Sequence, residues 1–562
     1  MKKSLPYLMM AVVLVLVTML AVVPAGAKPS GTVNVQILAL NDFHGNLEPP
    51  SGSSGRIGTV NAGGVEYLAT HINNLRATNP NTVVVSAGDL IGASPLLSAL
   101  FHDEPTIEAF NQIGLDFNAV GNHEFDEGWH ELVRMQEGGC HPVDGCLDGD
   151  DFAGANFQFL AANVVRQDNG KPIFPAYKIR SFGAAKIAFI GMTLEGTPLI
   201  VTPSGISDLN FLDEADTVNA LVPELKAKGV ETIVVLIHEG GVQSVAADPV
   251  TINTCTGISG PIVDIVNRLD DEVDVVISGH THNAYNCTID GKLVTSGSSF
   301  GRLVTDVDLT IDRSSGEVVT MAAQNNIVTR DVAKDSMLTA LIAKYNAIAA
   351  PLANRIIGSI TAPITRAINA AGESALGDVI ADGQLAATTD PSLGGAVVAF
   401  MNPGGIRADL SYPSSPVGEG DGNVTYGEMF TVQPFGNSMV TMTLTGAQIE
   451  RVLEEQFAGC TLASARILQV SAGFTYTWSA SGPVCEKVDP ATIKLNGVVL
   501  DPAASYRVTV NSFLADGGDS FPTLKLGTDR LGGAVDTDAF EAYFVANSPV
   551  APGPQNRITL VP

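Results

Sequence analysis

Short apolar runs, mostly β-branched, alternate with amphipathic stretches over the first 330 residues of the chain. Residues 33–40, 82–86, 186–190, 232–237 and 273–277 read as buried strands, each rich in Val, Ile, Leu or Ala and ending at polar residues or glycine. Between them, residues 65–76 and 216–228 place apolar side chains at helical spacing. Strands alternating with helices predict a layered α/β domain over residues 28–330. Residues 331–355 favour helix up to Pro351, with Met337, Leu338, Leu341 and Ile342 as one apolar stripe, and predict a linker helix. A second domain is predicted over 356–562, with strands at 396–400, 438–444, 474–478 and 506–510. Two glycine-rich turns interrupt it, Asn402-Pro403-Gly404-Gly405 and Asp516-Gly517-Gly518-Asp519.

The N-terminus bears on where the protein works. Lys2 and Lys3, an apolar stretch over residues 8–23, and Ala25-Gly26-Ala27 form the pattern of a secretory signal peptide, residues 1–27. An uncleaved anchor is the competing reading, because the run approaches the ~18 residues that span a bilayer. No comparable stretch follows, so the expectation is a secreted or extracytoplasmic protein with no stable membrane anchor after cleavage. Losing the two lysines takes the formal charge from −28 to −30. Such a surface repels polyanions and argues against a nucleic-acid partner, whereas metals and local arginines can reverse the field for a small anionic substrate. Six cysteines in an exported chain predict three disulfides, and sequence proximity favours Cys140–Cys146, Cys255–Cys287 and Cys460–Cys485.

Candidate chemistry sits where the strands stop. Asn41-Asp42-Phe43-His44, Gly88-Asp89, Gly121-Asn122-His123-Glu124, Asp126, Ile237-His238-Glu239 and Gly279-His280-Thr281-His282 mostly follow apolar runs, and strands of one sheet end at a common edge. Asp, Asn and His suit a pair of divalent ions. Asp42, His44, Asp89, Asn122, His238, His280 and His282 are the expected metal ligands, with Asp89 shared. Asp42 and His44, like His280 and His282, are two apart, and an extended backbone would turn each pair to one side. His123 follows a ligand, and Asp126 three residues on can orient its imidazole, so this pair is the expected catalytic dyad. His71, His102, His130 and His141 lack such context and read as surface or structural histidines.

This series resembles the calcineurin-like metallophosphoesterase signature. Asn402-Pro403-Gly404-Gly405-Ile406-Arg407, Gln433-Pro434-Phe435-Gly436-Asn437 and Asn511-Ser512-Phe513 with Gly517-Gly518-Asp519 narrow the resemblance to the secreted 5′-nucleotidase family. It implies a four-layer α/β sandwich followed by a second α/β, nucleotide-binding domain, and two divalent ions (Zn, Mn, Co or Fe). By the same resemblance Phe435 and Phe513 sandwich a nucleobase, Asn437 contacts it, Asp519 accepts from ribose hydroxyls, and Arg407 and Asn402 lie at the phosphate. Relatives carry further phosphate-binding arginines around the stretch that here reads Gly372-Glu373-Ser374-Ala375-Leu376-Gly377-Asp378. The nearest arginine is Arg366, which favours a monophosphate over a di- or triphosphate unless other loops contribute. The implied activity is hydrolysis of a nucleoside 5′-monophosphate. A 2′,3′-cyclic-nucleotide phosphodiesterase/3′-nucleotidase, a UDP-sugar or dinucleotide pyrophosphatase, and a catalytically silent nucleotide-binding surface protein stay open.

Overall fold

The computed structural model describes residues 31–561, apart from 51, 202–204, 414–417 and 462–463, so the expected signal peptide lies outside the described residues. Two six-stranded sheets form the first half. The first runs, in spatial order, Val318–Ile327, Leu303–Asp312, Thr32–Leu40, Thr82–Ser86, Phe117–Ala119 and Gln158–Leu160. The second runs Ala284–Ile289, Lys292–Gly297, Val273–Ser278, Thr232–His238, Ala185–Thr193 and Tyr177–Phe182. Thr32–Leu40 pairs in parallel with Thr82–Ser86, and that strand with Phe117–Ala119, because helices Val65–Arg76 and Glu104–Ile113 carry the chain back each time.

The period-two alternation of the strands builds the layers. Val35, Ile37, Val83 and Val85 meet Ile187, Phe189, Val234, Leu236, Val275 and Ile277 in a core between the sheets. Leu38, Leu40 and Val84 face the other way and bury Leu68, Ile72, Ile107 and Phe110 of the outer helices. On the far side, helices Glu214–Ala227 and Pro261–Arg268 cover the second sheet through Val218, Val222, Ile262 and Val266. The result is the expected helix–sheet–sheet–helix sandwich.

Helix Ser336–Ala353 is capped by Asp335, whose side chain accepts from the N–H groups of Met337 and Leu338. It runs through Pro351 and buries Leu338, Leu341, Ile342 and Tyr345 in the core of the first half, whereas Met337 is 65% exposed. The apolar stripe is therefore real but shifted away from Met337. Beyond it lie a five-stranded sheet (Gln469–Val470, Val398–Met401, Ser505–Asn511, Ser438–Thr445, Thr528–Val535) and a four-stranded one ending in Ile558–Val561. Disulfides join Cys140 to Cys146, Cys255 to Cys287 and Cys460 to Cys485, as proximity suggested.

Candidate active site

Strands of both sheets of the first half deliver the expected ligands to one rim. Leu40, Ser86 and Ala119 end strands just before Asp42, Asp89 and Asn122; His238 is the last residue of its strand, and His280 follows Ser278 by two. The backbone at these residues is not extended, contrary to the expectation for Asp42 with His44 and for His280 with His282. Asp42 (φ 50°), His44 (48°), Asp89 (49°), His280 (69°) and His282 (56°) all adopt left-handed backbone. The strands stop short, and tight turns rather than pleats aim these side chains inward. Left-handed backbone is unfavourable for residues with a Cβ, so the surroundings must hold it: Asp42 N–H donates to Gly88 O at 3.0 Å, His44 N–H to Asp89 O at 3.0 Å, and Phe300 N–H to Asp42 O at 2.7 Å. Gly88 (φ 90°) cannot be replaced here, since a Cβ would lie 2.7 Å from Gly121 N and 2.8 Å from His238 Nδ1.

Hydrogen bonding selects the ring nitrogens. His238 Nδ1 lies 2.8 Å from Ala87 O and His44 Nδ1 2.8 Å from Gly92 O. A carbonyl only accepts, so both Nδ1 atoms carry protons and the Nε2 lone pairs face the centre. His238 Nε2 is buried without an aligned hydrogen bond, yet it lies 2.9 Å from Asp89 Oδ2. His44 Nε2 faces His282 Nε2 at 3.2 Å and Asp89 Oδ2 at 3.6 Å, and His282 Nε2 lies 3.3 Å from Asp42 Oδ1. His280 Nδ1 stands 3.0 Å from Asn122 Oδ1. Lone pairs and carboxylates pointed at one another repel unless a cation stands between them, so this donor set fits divalent metal ions. A proton on Nε2 is the alternative to an ion at His238: burial lowers its pKa, but Asp89 and Asp42 outweigh burial and push it up to about 10, while burial drives His280 down to about 3.

His123 stands beside this cluster, with Nδ1 2.9 and 3.1 Å from the two oxygens of Asp126. Burial lowers its pKa, but Asp126 and Asp89 outweigh that and hold it above the ordinary value. Two supporting residues were not singled out from the sequence. Glu124 accepts from the N–H groups of Gly121 (2.6 Å), Leu90 (2.8 Å) and Asp89 (2.9 Å) and from Asn118 Nδ2 (3.2 Å), tying two ligand loops together. Burial and the Asp89 charge push it up to about 7. Asn41 donates to Asp42 Oδ2 (2.5 Å) and Ser298 O (2.6 Å), fixing the carboxylate. Both residues lay inside the quoted motifs, beside more obvious ligands.

The C-terminal half faces the cluster directly. One cavity of about 360 Å³ is lined by Asn122, His123, Asp126 and His280 on one side and by Asn402, Arg407, Phe435, Asn437, Phe513 and Asp519 on the other. Phe435 stacks near His123 (centroids 5.7 Å, 21° between planes), with the Arg407 guanidinium 5.7 Å from the centre of the same phenyl ring. Asn402 Nδ2 donates to Asp519 Oδ2 at 2.8 Å, and Asn437 Oδ1 accepts from Ser512 Oγ at 3.1 Å. Arg466 also lines the cavity and forms an ion pair with Asp519; nothing in its local sequence signalled it. By contrast Glu373 accepts the N–H groups of Arg557 (2.8 Å) and Ile558 (3.3 Å), so the 372–378 stretch anchors the last strand, and Arg466 enters from elsewhere.

Comparison with known proteins agrees with this arrangement. Residues 35–284 match the calcineurin-like phosphoesterase family model, and residues 356–526 match the 5′-nucleotidase C-terminal domain. A Bacillus subtilis protein named as an endonuclease is 33% identical over 95% of this chain and 41% of its own length. A cell wall protein of Listeria monocytogenes is 31% identical over 91% of this chain and 67% of its own. The chain thus spans about two fifths and two thirds of these relatives. A 5′-nucleotidase precursor from Thermus thermophilus superposes with a TM-score of 0.75 at 26% identity, covering 94% of this chain and 99% of that one. With its two domain models matched in this order, the chain belongs to the 5′-nucleotidase family of calcineurin-like metallophosphoesterases.

Proposed function

We propose that the protein is an exported, dinuclear-metal phosphohydrolase that converts nucleoside 5′-monophosphates to nucleoside and phosphate. The observation that carries this reading is the single cavity shared by His123, Asn122 and His280 with Phe435, Phe513 and Asp519. A phosphate ester placed against the ligand cluster has its remaining part among aromatic rings and amides. The three disulfides and the similarity to a Listeria cell wall protein support an extracytoplasmic location. Among the described residues no helix is long and apolar enough to cross a membrane.

Asp42, His44, Asp89, Asn122, His238, His280 and His282 would hold the two ions. Bound there, divalent metals supply Lewis-acid neutralisation of phosphoryl charge and acidify water. The rest of the work falls to side chains. Phe435 and Phe513 stack the base, a contact that contributes ~1–3 kcal/mol whatever the base identity. Asn437 meets the base edge, Asp519 accepts from ribose hydroxyls, and Arg407, backed by Asn402, pairs with the phosphate. Asp126 accepts from Nδ1 and with Asp89 raises the pKa of His123, so the ring holds a second proton on Nε2 and presents it to the phosphoryl and leaving oxygens. The water oxygen bonds to phosphorus, the bond to the 5′ oxygen breaks, and the nucleoside departs as an alcohol.

Phosphate release should be measured from AMP, UMP, UDP-glucose, a 2′,3′-cyclic nucleotide, NAD and a single-stranded oligonucleotide. The monophosphates are expected to be the best substrates by kcat/KM. Preferred turnover of the cyclic, pyrophosphate or oligonucleotide substrate, or no turnover by metal-loaded protein, would overturn the assignment.

A further inference from the structure

A second cluster of metal-type donors lies outside the cleft. His102 sits at the corner between helices Leu96–Ala99 and Glu104–Ile113, Glu127 directly after Asp126, Glu131 in the first turn of helix Trp129–Glu137, and His141 in the loop closed by Cys140–Cys146. One donor atom from each lies within 4.8 Å of the other three. His102 and His141 read from sequence as surface or structural histidines, because the two are separated by 39 positions in unrelated local contexts.

The local chemistry resembles that of the catalytic cluster. His102 Nδ1 lies 2.8 Å from Glu127 Oε2 and Nε2 3.0 Å from Asp144 Oδ2. Carboxylates only accept, so this ring carries two protons and stands as a cation between two anions. His141 Nδ1 accepts the N–H of Asp144 at 3.1 Å and lies 3.4 Å from Asp144 Oδ2. The two rings stack with centroids 3.8 Å apart at 15°, tolerable for one imidazolium against one imidazole but not for two cations. When His102 gives up a proton, a lone pair faces carboxylate oxygen, the pattern seen between His238 and Asp89. Glu131 is already oriented: Arg134 Nε lies 2.9 Å from both its oxygens and Arg134 Nη2 2.6 Å from Oε1, the kind of outer contact that presets a metal-binding carboxylate.

We propose that His102, Glu127, Glu131 and His141 form a separate binding site for a borderline divalent ion, Zn²⁺ foremost. Two imidazoles and two carboxylates are the mixed N/O set such ions accept. Tetrahedral bonds of ~2.0–2.2 Å require donors closer than 4.8 Å, so binding draws the four side chains together and splays the stacked rings, each of which must turn its edge to the ion. Four protein donors complete a tetrahedral shell, which makes the site structural. It ties the disulfide-closed loop to the residue adjoining Asp126 and so braces the loop that presents the catalytic dyad.

The test uses the full mature chain, loaded with metal at the catalytic centre and then titrated with Zn²⁺ by calorimetry. The wild type should bind one more equivalent than His102→Ala/His141→Ala, and the added Zn²⁺ should raise Tm only in the wild type. Equal stoichiometry in the two folded proteins overturns the proposal. Should the double variant not fold, a crystal of the wild type measured at the Zn absorption edge decides. An anomalous peak between His102 and His141 supports the site, and peaks confined to the catalytic cluster refute it.

Discussion

Replacing Asp126 by Asn removes the charge that raises His123 while leaving an oxygen able to accept the Ala93 N–H, which Asp126 Oδ2 now takes at 3.1 Å. The imidazole therefore keeps its place but loses an anion 2.9 Å from Nδ1. A unit charge pair at ~4 Å interacts by about 4 kcal/mol at an effective dielectric of ~20. Asp126 is 24% exposed and His123 14%, so solvent screens much of this. At ~1.4 kcal/mol per pKa unit, a fall of roughly one to two units for His123 is expected. The sign follows from the role: His123 works protonated, so activity is present below its pKa and is lost as pH rises through it. The raised pKa of the native group extends activity upward, and Asp126→Asn should move the alkaline limb of kcat/KM to lower pH by that one to two units. At a pH above both limbs the loss is then ~10–100-fold, shrinking as the pH falls below both limbs, where both proteins are protonated. Metal content must be measured on the same preparations. An alkaline limb that stays put in a variant retaining its metals would refute the assignment of His123 as the proton-bearing group.

Three further substitutions separate the roles of the two halves. His123→Ala should retain bound metal but lose ~10²–10⁴-fold in the chemical step; metal loss in parallel with activity would instead make His123 a ligand. Phe435→Ala and Phe513→Ala should depress kcat/KM for AMP far more than for an aryl phosphate without a base, because stacking of ~1–3 kcal/mol exists only with a base present. Equal losses on both substrates would mean that the rings only pack the protein.

Much of the fold was legible because its signals are local. Residues 82–86 and 65–76 form a strand and a helix with the predicted bounds, and both owe this to apolar spacing within a few residues. Helix Ser336–Ala353 shows where such reading slips. Its stripe was placed through Met337, but Leu338, Leu341, Ile342, Tyr345 and Ala349 are what the first half buries. A helix with so many apolar residues does not declare which face is covered; its neighbours decide.

The candidate ligand cluster was legible for a different reason: its residues sit at or just beyond the ends of strands, and the end of a strand is visible in sequence. The backbone state that aims them was not, since left-handed turns at Asp42, His44, Asp89, His280 and His282 depend on bonds such as Phe300 N–H to Asp42 O, across more than 250 positions. Arg466 lay further out of reach. It lies far in sequence from Asn402, Phe435 and Phe513, and at the cavity its guanidinium pairs with Asp519. The same pairing gives that carboxylate a second partner beside Asn402. A substrate hydroxyl approaching Asp519 must therefore share the carboxylate's lone pairs with Arg466 or displace it. A carboxylate offers about four lone-pair sites, so sharing needs no broken ion pair, and the guanidinium holds the Asp519 side chain in place, which suits its proposed role as the acceptor for ribose. The stretch around Glu373 brings no arginine of its own to the cavity; Arg466, from another loop, lines it and pairs with Asp519, the proposed ribose acceptor.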